Sequence, residues 1–126
     1  MRLGEGYTLA ACDLSNVGEF EKLLEEHKID TKTPTLFYSE CVLSYIDAER
    51  IDHLVRFIRE KFDLAFFFDY EMYNPSDRFG QLMVKNFNQM GCPLVGIYKY
   101  PGLEDQHKRY TECGWQRCEV LTMKDM

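Results

Sequence analysis

Short apolar runs alternate with stretches of helical spacing along this chain, and the two periods predict its elements. Tyr7–Cys12 is an apolar run closed by Asp13, and Ser15 and Asn16 follow as capping side chains, which predicts a strand and then a helix. Between Val17 and His27, the residues Val17, Phe20, Leu23 and Leu24 share one face, while Glu19, Glu21, Glu25 and Glu26 take the others. That is an amphipathic, exposed helix. Thr31–Pro34 breaks the pattern. Thr35–Tyr45 is then largely apolar with Ser39 and Glu40 embedded, which predicts a buried parallel strand leading into a functional turn. Asp47 is placed to cap a helix in which Ile51, Leu54, Val55, Ile58 and Phe62 recur at helical spacing.

Leu64–Tyr70, with Phe66, Phe67 and Phe68 in succession, suits an interior strand covered on both faces. Asn74, Pro75, Ser76 and Asp77 form a turn and cap, followed by a helix carrying Phe79, Leu82, Met83 and Phe87 that Gly91–Pro93 stops. Leu94–Tyr100 reads as a strand or a packed loop, Leu103–Cys113 as a polar helix with Gly114 at its C-terminal cap, and Trp115–Met123 as a last strand. The alternation argues for βαβ units, hence an α/β fold with a mostly parallel sheet and flanking helices. A length of 126 residues with 45% hydrophobic and 29% charged side chains fits a single domain over 1–126.

No apolar run approaches the roughly 18 to 20 residues of a membrane helix, and Met1–Ala10 lacks the continuous apolar segment of a secretory signal. No membrane association and a cytoplasmic location are expected. Five scattered cysteines, an odd number, do not make a disulfide framework and are expected as reduced thiols. A formal charge of −6 repels phosphate backbones, so a nucleic-acid partner is disfavoured.

Open α/β sheets bind ligands just beyond the carboxyl ends of their strands, which singles out Asp13, Glu40, Asp69 and Glu71. A carboxylate there accepts hydrogen bonds from a ribose hydroxyl, an adenine amine or an ammonium group, or it simply caps the next helix. Gly4-Glu5-Gly6 precedes the first apolar run, whereas a phosphate loop follows a strand, so it reads as a turn. His107, Cys113 and Cys118 lack zinc spacing, and no metal is implied. Cys41 beside Glu40 has no orienting partner for His53, the nearest histidine in sequence, and reads as a buried strand cysteine. The basic residues are dispersed over a solvated face, apart from Arg78, whose guanidinium follows the turn after the Asp69–Glu71 strand end and has the shape to grip a carboxylate.

Four segments, Ala10-Ala-Cys-Asp-Leu14, Pro34-Thr-Leu-Phe-Tyr-Ser-Glu-Cys-Val-Leu-Ser-Tyr45, Asp69-Tyr-Glu71 and Asp77-Arg-Phe-Gly-Gln-Leu-Met83, with the later Gly114-Trp115 pair, resemble the C-terminal portion of a leucine carboxyl methyltransferase catalytic domain. The resemblance implies a partial Rossmann-like, class I fold and S-adenosylmethionine as cofactor. It implies methyl transfer to the C-terminal leucine carboxylate of the type 2A protein phosphatase catalytic subunit, whose tail would be the partner. By the same resemblance Asp13 and Leu14 contact the adenine end of the cofactor and Glu40 lines the cofactor and substrate pocket. Tyr45, Tyr70, Glu71 and Arg78 fall near the cleft as substrate-binding candidates. It also implies that a glycine-rich cofactor loop and the first strands precede these motifs, so that the chain is about half of a methyltransferase, and Ser15 stands where a basic residue is expected. Two other readings remain open: a paralogous methyltransferase of the transfer-RNA wybutosine pathway, and a noncatalytic chain that self-associates through an exposed sheet edge.

Overall fold

In the computed structural model, which describes residues 6–126, the elements in chain order are α1 (Val17–Glu26), β1 (Thr35–Glu40), a 3-10 turn (Leu43–Tyr45), α2 (Ala48–Lys61), β2 (Ala65–Tyr70), α3 (Arg78–Gln89) and α4 (Leu103–Glu112). Gly4 and Glu5 of the Gly-x-Gly fragment, like the first half of the Met1–Ala10 segment, lie outside the described residues. β1, α2 and β2 form a strand–helix–strand crossover. The two strands pair in parallel, from Thr35 opposite Ala65 to Glu40 opposite Tyr70, as expected for a βαβ unit.

Helix α2 begins where Asp47 accepts hydrogen bonds from the Glu49 and Arg50 amides at 3.1 and 3.2 Å. Its apolar stripe, Ile51, Leu54, Val55 and Ile58, is buried, and with Leu43, Phe62 and Cys113 it forms the core on which Phe37 and Phe67 of the sheet pack. Burying each such side chain contributes about 1.5–3 kcal/mol. Phe37 meets Phe62 edge-on at 5.0 Å and stacks with Phe67 at 6.1 Å, so the aromatic ladder of the inner sheet face continues into the helix layer. α1 lies against α2 through Phe20 and Phe57.

Alternation along the strands sends Phe37, Ser39, Phe67 and Asp69 inward and Leu36, Tyr38, Glu40, Phe66, Phe68 and Tyr70 outward. The expected interior strand is therefore covered on one face only: Leu36 is 66% exposed and Phe66 59%, and no described element packs over them. Three other expectations are corrected. Tyr7–Cys12 contributes a single bridge residue, Thr8, instead of a strand. Extended structure after Thr35 ends at Glu40, not Tyr45, because Cys41 adopts a left-handed φ of 50° and the chain turns. Trp115–Met123 is irregular. It is anchored by its first side chain, whose indole N–H donates to the Val55 carbonyl at 3.2 Å, and an apolar run held that way needs no neighbouring strand. Leu94–Tyr100 is a packed loop of turns with Leu94 and Ile97 buried. Helix α4 ends as expected, with Gly114 at φ 90° just past Cys113.

No strand is described after Tyr70, so side-chain contacts hold that half of the chain to α2. Asp52, at 8% exposure, accepts hydrogen bonds from Arg109 Nε and Lys99 Nζ, each at 2.9 Å, and from the Tyr100 hydroxyl at 2.7 Å. Burial, then the bond to Asp52, pushes the Tyr100 hydroxyl up to about 12, which keeps it a donor. One backbone hydrogen bond adds to this, from the Gly96 amide to the Ser44 carbonyl at 2.9 Å, and a Cβ at Gly96 would collide with the Ile46 carbonyl. Replacing Asp52 by Ala leaves the Arg109 guanidinium buried and unpaired. Urea unfolding of this variant is expected to show a loss of about 3–5 kcal/mol, and a loss under 1 kcal/mol would remove the clamp from the account.

Candidate functional site

Because β1 and β2 run in parallel, their carboxyl ends open on one side of the molecule; Glu40 and Tyr70 end the strands, Tyr45, Glu71 and Arg78 lie in the segments that follow them, and Asp13 and Leu14 precede α1. Glu40 is the last residue of β1, exposed on the bare outer face, and accepts a hydrogen bond from the Tyr38 hydroxyl at 2.8 Å. Tyr70 ends β2 on the same face, 40% exposed, and its carbonyl takes the Cys41 amide at 2.8 Å as the last rung of the ladder. Asp13 reaches this side through its neighbour: the Arg50 guanidinium, in the first turn of α2, donates to the Ser15 hydroxyl at 3.4 Å. The Ser15 hydroxyl and amide, with Arg50 beyond them, hold the exposed Asp13 carboxyl below the usual carboxylate range. Asn16, not Asp13, caps α1. Leu14 packs against the core cluster.

Glu71 has a different occupation from the one expected. One carboxylate oxygen accepts the amides of Val42 and Leu43 at 2.8 and 2.6 Å, and the other accepts the Ser44 hydroxyl at 2.5 Å. The residue that follows β2 thus fixes the turn that follows β1, and its hydrogen-bonding capacity is largely used within the chain. The turn so fixed carries Tyr45, whose ring meets Phe87 of α3 edge-on at 5.9 Å. At the start of α3, the Asp77 carboxylate caps the helix by accepting the Gly80 amide at 2.6 Å, and a Cβ at Gly80 would strike the backbone of Asn74 and Pro75. The Asp77-Arg-Phe-Gly80 motif is therefore a packing requirement as well as a cap. Arg78 projects from this first turn, exposed, and neither Asp77 nor Glu71 pairs with it. Its fork and the N-terminal amides of α3 together favour an anion.

Burial, with Glu71, Glu40 and Asp69 adding to it, pushes the Cys41 thiol up and leaves it a poor nucleophile. Cys113 is a core residue whose thiol donates to the Asp52 carbonyl. A cavity of about 590 Å³ lies along α3, bounded by Pro75, Gln81, Lys85, Asn88 and Tyr98, and a smaller one of about 210 Å³ touches His53, Arg56 and Lys99; neither is lined by Asp13, Glu40, Tyr45, Tyr70, Glu71 or Arg78. Glu40 and Tyr70 stand at the carboxyl end of the sheet, and Tyr45 and Glu71 lie in the segments that leave it, joined through the Ser44 hydroxyl. Sequence reasoning gave no role to Asp52, and it singled out Asp69 as a carboxylate open to a ligand, whereas Asp69 faces inward and accepts the Tyr110 hydroxyl at 2.7 Å. The signal for Asp52 was an acid beside the apolar stripe of α2; for Asp69 it was the inward parity of the strand.

The family profile described as leucine carboxyl methyltransferase matches residues 3–59. The chain is 32% identical over 120 residues to leucine carboxyl methyltransferase 1 of Bos taurus, which covers 95% of this chain and 36% of that protein. It is 33% identical over 119 residues to tRNA wybutosine-synthesizing protein 4 of Homo sapiens, 94% of this chain and 17% of that one. The leucine carboxyl methyltransferase 1 homolog of Arabidopsis thaliana is 32% identical over 121 residues, 96% and 36%. The chain spans about a third of the methyltransferase 1 relatives, less than the half expected from its motifs.

If Glu71 fixes the turn, removing its carboxylate orphans two amides. Glu71→Ala is expected to accelerate hydrogen exchange at Val42 and Leu43 at least tenfold and to cost about 1–3 kcal/mol. Unchanged protection at both amides would mean that the turn holds itself.

Proposed function

We propose, from the premise that this chain belongs to the leucine carboxyl methyltransferase family, that it supplies part of the cofactor and substrate site of a Rossmann-like methyltransferase that esterifies the C-terminal leucine carboxylate of the type 2A protein phosphatase catalytic subunit. The observation that supports this most is Glu40, an exposed acceptor at the carboxyl end of a parallel pair; Asp13 is a second exposed acceptor, and Arg78 is exposed and outside every ion pair among the described residues. S-adenosylmethionine would supply a methyl carbon activated by its attachment to a sulfonium centre. The donor set fits it: Glu40 and Asp13 are exposed acceptors of the kind that hold nucleoside hydroxyls and amines, and Leu14 follows Asp13 as the aliphatic neighbour of the adenine.

The chain's own task in this reading is placement. A leucine carboxylate is ionised at neutral pH and needs no general base to become a nucleophile. Arg78 and the amides of α3 hold it by charge, Tyr45 flanks it, and Tyr70 walls the strand end. Holding the carboxylate oxygen in line with the methyl carbon, away from water, lowers the barrier by proximity. The net charge of −6 suits a tail peptide better than a transfer RNA.

The test is made on the intact gene product with labelled S-adenosylmethionine, offering a peptide ending in a free leucine carboxylate, the same peptide amidated, and transfer RNA. Label is expected on the free carboxylate alone; transfer to RNA instead would overturn the substrate. Glu40→Gln is expected to weaken cofactor binding at least tenfold, and Arg78→Ala to raise KM for the peptide by a similar factor with little change in cofactor affinity, each being the loss of a charge-assisted hydrogen bond.

A second reading, binding of another polypeptide, is favoured by the bare outer sheet face. Light scattering on the 126-residue chain is expected to show association that rises with concentration and is abolished by Phe66→Lys. A monodisperse monomer that binds S-adenosylmethionine would eliminate it.

A further inference from the structure

We propose that Tyr38 is a positioning residue for the candidate cofactor site: its hydroxyl holds one oxygen of the Glu40 carboxylate and leaves the other free as an oriented acceptor. This rests on the reading of Glu40 as a cofactor contact, and it adds to that reading a residue to which the sequence motifs assign no role.

Tyr38 and Glu40 lie two positions apart on β1, so both stand on the outer face of the sheet. Positions at that spacing are about 7 Å apart along the strand, a gap closed here by a hydroxyl at the far end of a ring. The Tyr38 hydroxyl donates to Glu40 Oε2 at 2.8 Å, an ordinary length for a hydroxyl donor. Among the described residues this is the one hydrogen bond made to that carboxylate, and Oε1 is open.

The donor is itself held. Tyr38 and Phe68 are register partners of the parallel pair, and their rings stack at 5.5 Å with an interplanar angle of 5°. A stacked ring fixes the plane in which its hydroxyl lies. The Glu40 carboxylate, above all through the bond it accepts, pushes the Tyr38 hydroxyl up, so that it remains a donor at neutral pH.

Glu40 is exposed and ends its strand, and its carboxylate takes no other bond that would order it. A glutamate free to turn gives up rotamer freedom when a ligand binds, and that loss weakens the binding. With Tyr38 in place, part of the ordering precedes the ligand. The cost in acceptor capacity is small, since a carboxylate has about four lone-pair sites and one hydroxyl takes one of them.

Tyr38→Phe removes the donor and keeps the ring that stacks on Phe68. Titration calorimetry of the intact gene product with S-adenosylmethionine compares the parent, Tyr38→Phe, Glu40→Gln and the double variant. Tyr38→Phe is expected to weaken binding about fivefold, the size of one lost hydrogen bond, and Glu40→Gln at least tenfold. The double variant is expected to match Glu40→Gln within a factor of about two, because Tyr38 acts only through the carboxylate. KM for the leucine peptide at saturating cofactor is expected to be the same in Tyr38→Phe as in the parent. Carbon NMR of the Tyr38 ζ carbon reads the contact without any ligand: the hydroxyl is expected to titrate at higher pH in the parent than in Glu40→Gln. Equal midpoints, additive losses in the double variant, or a Tyr38→Phe variant that binds as tightly as the parent while Glu40→Gln does not, each overturn the positioning role and leave the cofactor reading in place. Undiminished binding by Glu40→Gln overturns the cofactor reading, and the role of Tyr38 with it.

Discussion

The structure beyond β2 depends on one buried carboxylate. Sheets hold their segments by backbone ladders, but this sheet has two strands among the described residues, and the chain after Tyr70 adds none. The tie shared by the loop over residues 94–100 and α4 is Asp52, placed beside the apolar stripe of α2 and surrounded by donors from both: Lys99, Tyr100 and Arg109. Its bonds are not equal. Lys99 is 43% exposed and its pairing is screened by solvent, whereas the Arg109 side chain is 5% exposed and has no other anion in contact. A buried pair of that kind adds little net stability over an apolar contact, but it penalises every alternative docking of α4 that would leave either charge alone. Specificity of placement is its main effect. Tyr100, with both Lys99 and Arg109 over its ring, packs the same cations from the side.

Placement of α4 and placement of the candidate site meet at β2. Asp69 faces α4, and Glu71 faces the turn after β1, so alternate residues at one strand end serve the helix layer and the strand end. Parallel pairing makes this possible, because both strands finish on the same side and the chain leaving each is free to interact with the other. The Glu71 carboxylate replaces a strand continuation: it satisfies the amides of Val42 and Leu43 that a longer ladder would have satisfied, and it allows Cys41 to turn with positive φ. The acid after β2 thus acts within the chain, fixing the turn that carries Tyr45.

Local features were readable from the chain. Asp47, Asp77 and Gly114 each act within four residues of the helix end they terminate, so their types announce α2, α3 and α4 directly. The apolar stripe of α2 was readable for the same reason. Strands at Tyr7–Cys12 and Trp115–Met123 were not, because apolarity reports burial while a strand needs a partner, and Trp115 obtains its burial through an indole bond to Val55, 60 residues away. The occupation of Glu71 spans 27 to 29 residues and that of Asp52 47 to 57, separations at which residue type alone gives no pairing. Of the candidate site, the end of the sheet was legible from strand order; that one of its acids is already bonded to the turn was not.

Two unfulfilled requirements coincide on the outer face. Parallel strands are ordinarily buried on both sides, and here Leu36, Tyr38, Phe66 and Phe68 present an apolar surface with Tyr38 and Phe68 stacked at 5.5 Å. Glu40 and Tyr70 belong to that same face by strand parity, and neither of the two cavities described is lined by a candidate residue. A polypeptide laid over the aromatic patch would therefore also wall the end at which Glu40 stands and withdraw water from it, whether that polypeptide is more of a methyltransferase or another molecule. Desolvation would strengthen every charge interaction there. Covering of the core and shielding of the strand end are in this sense one event.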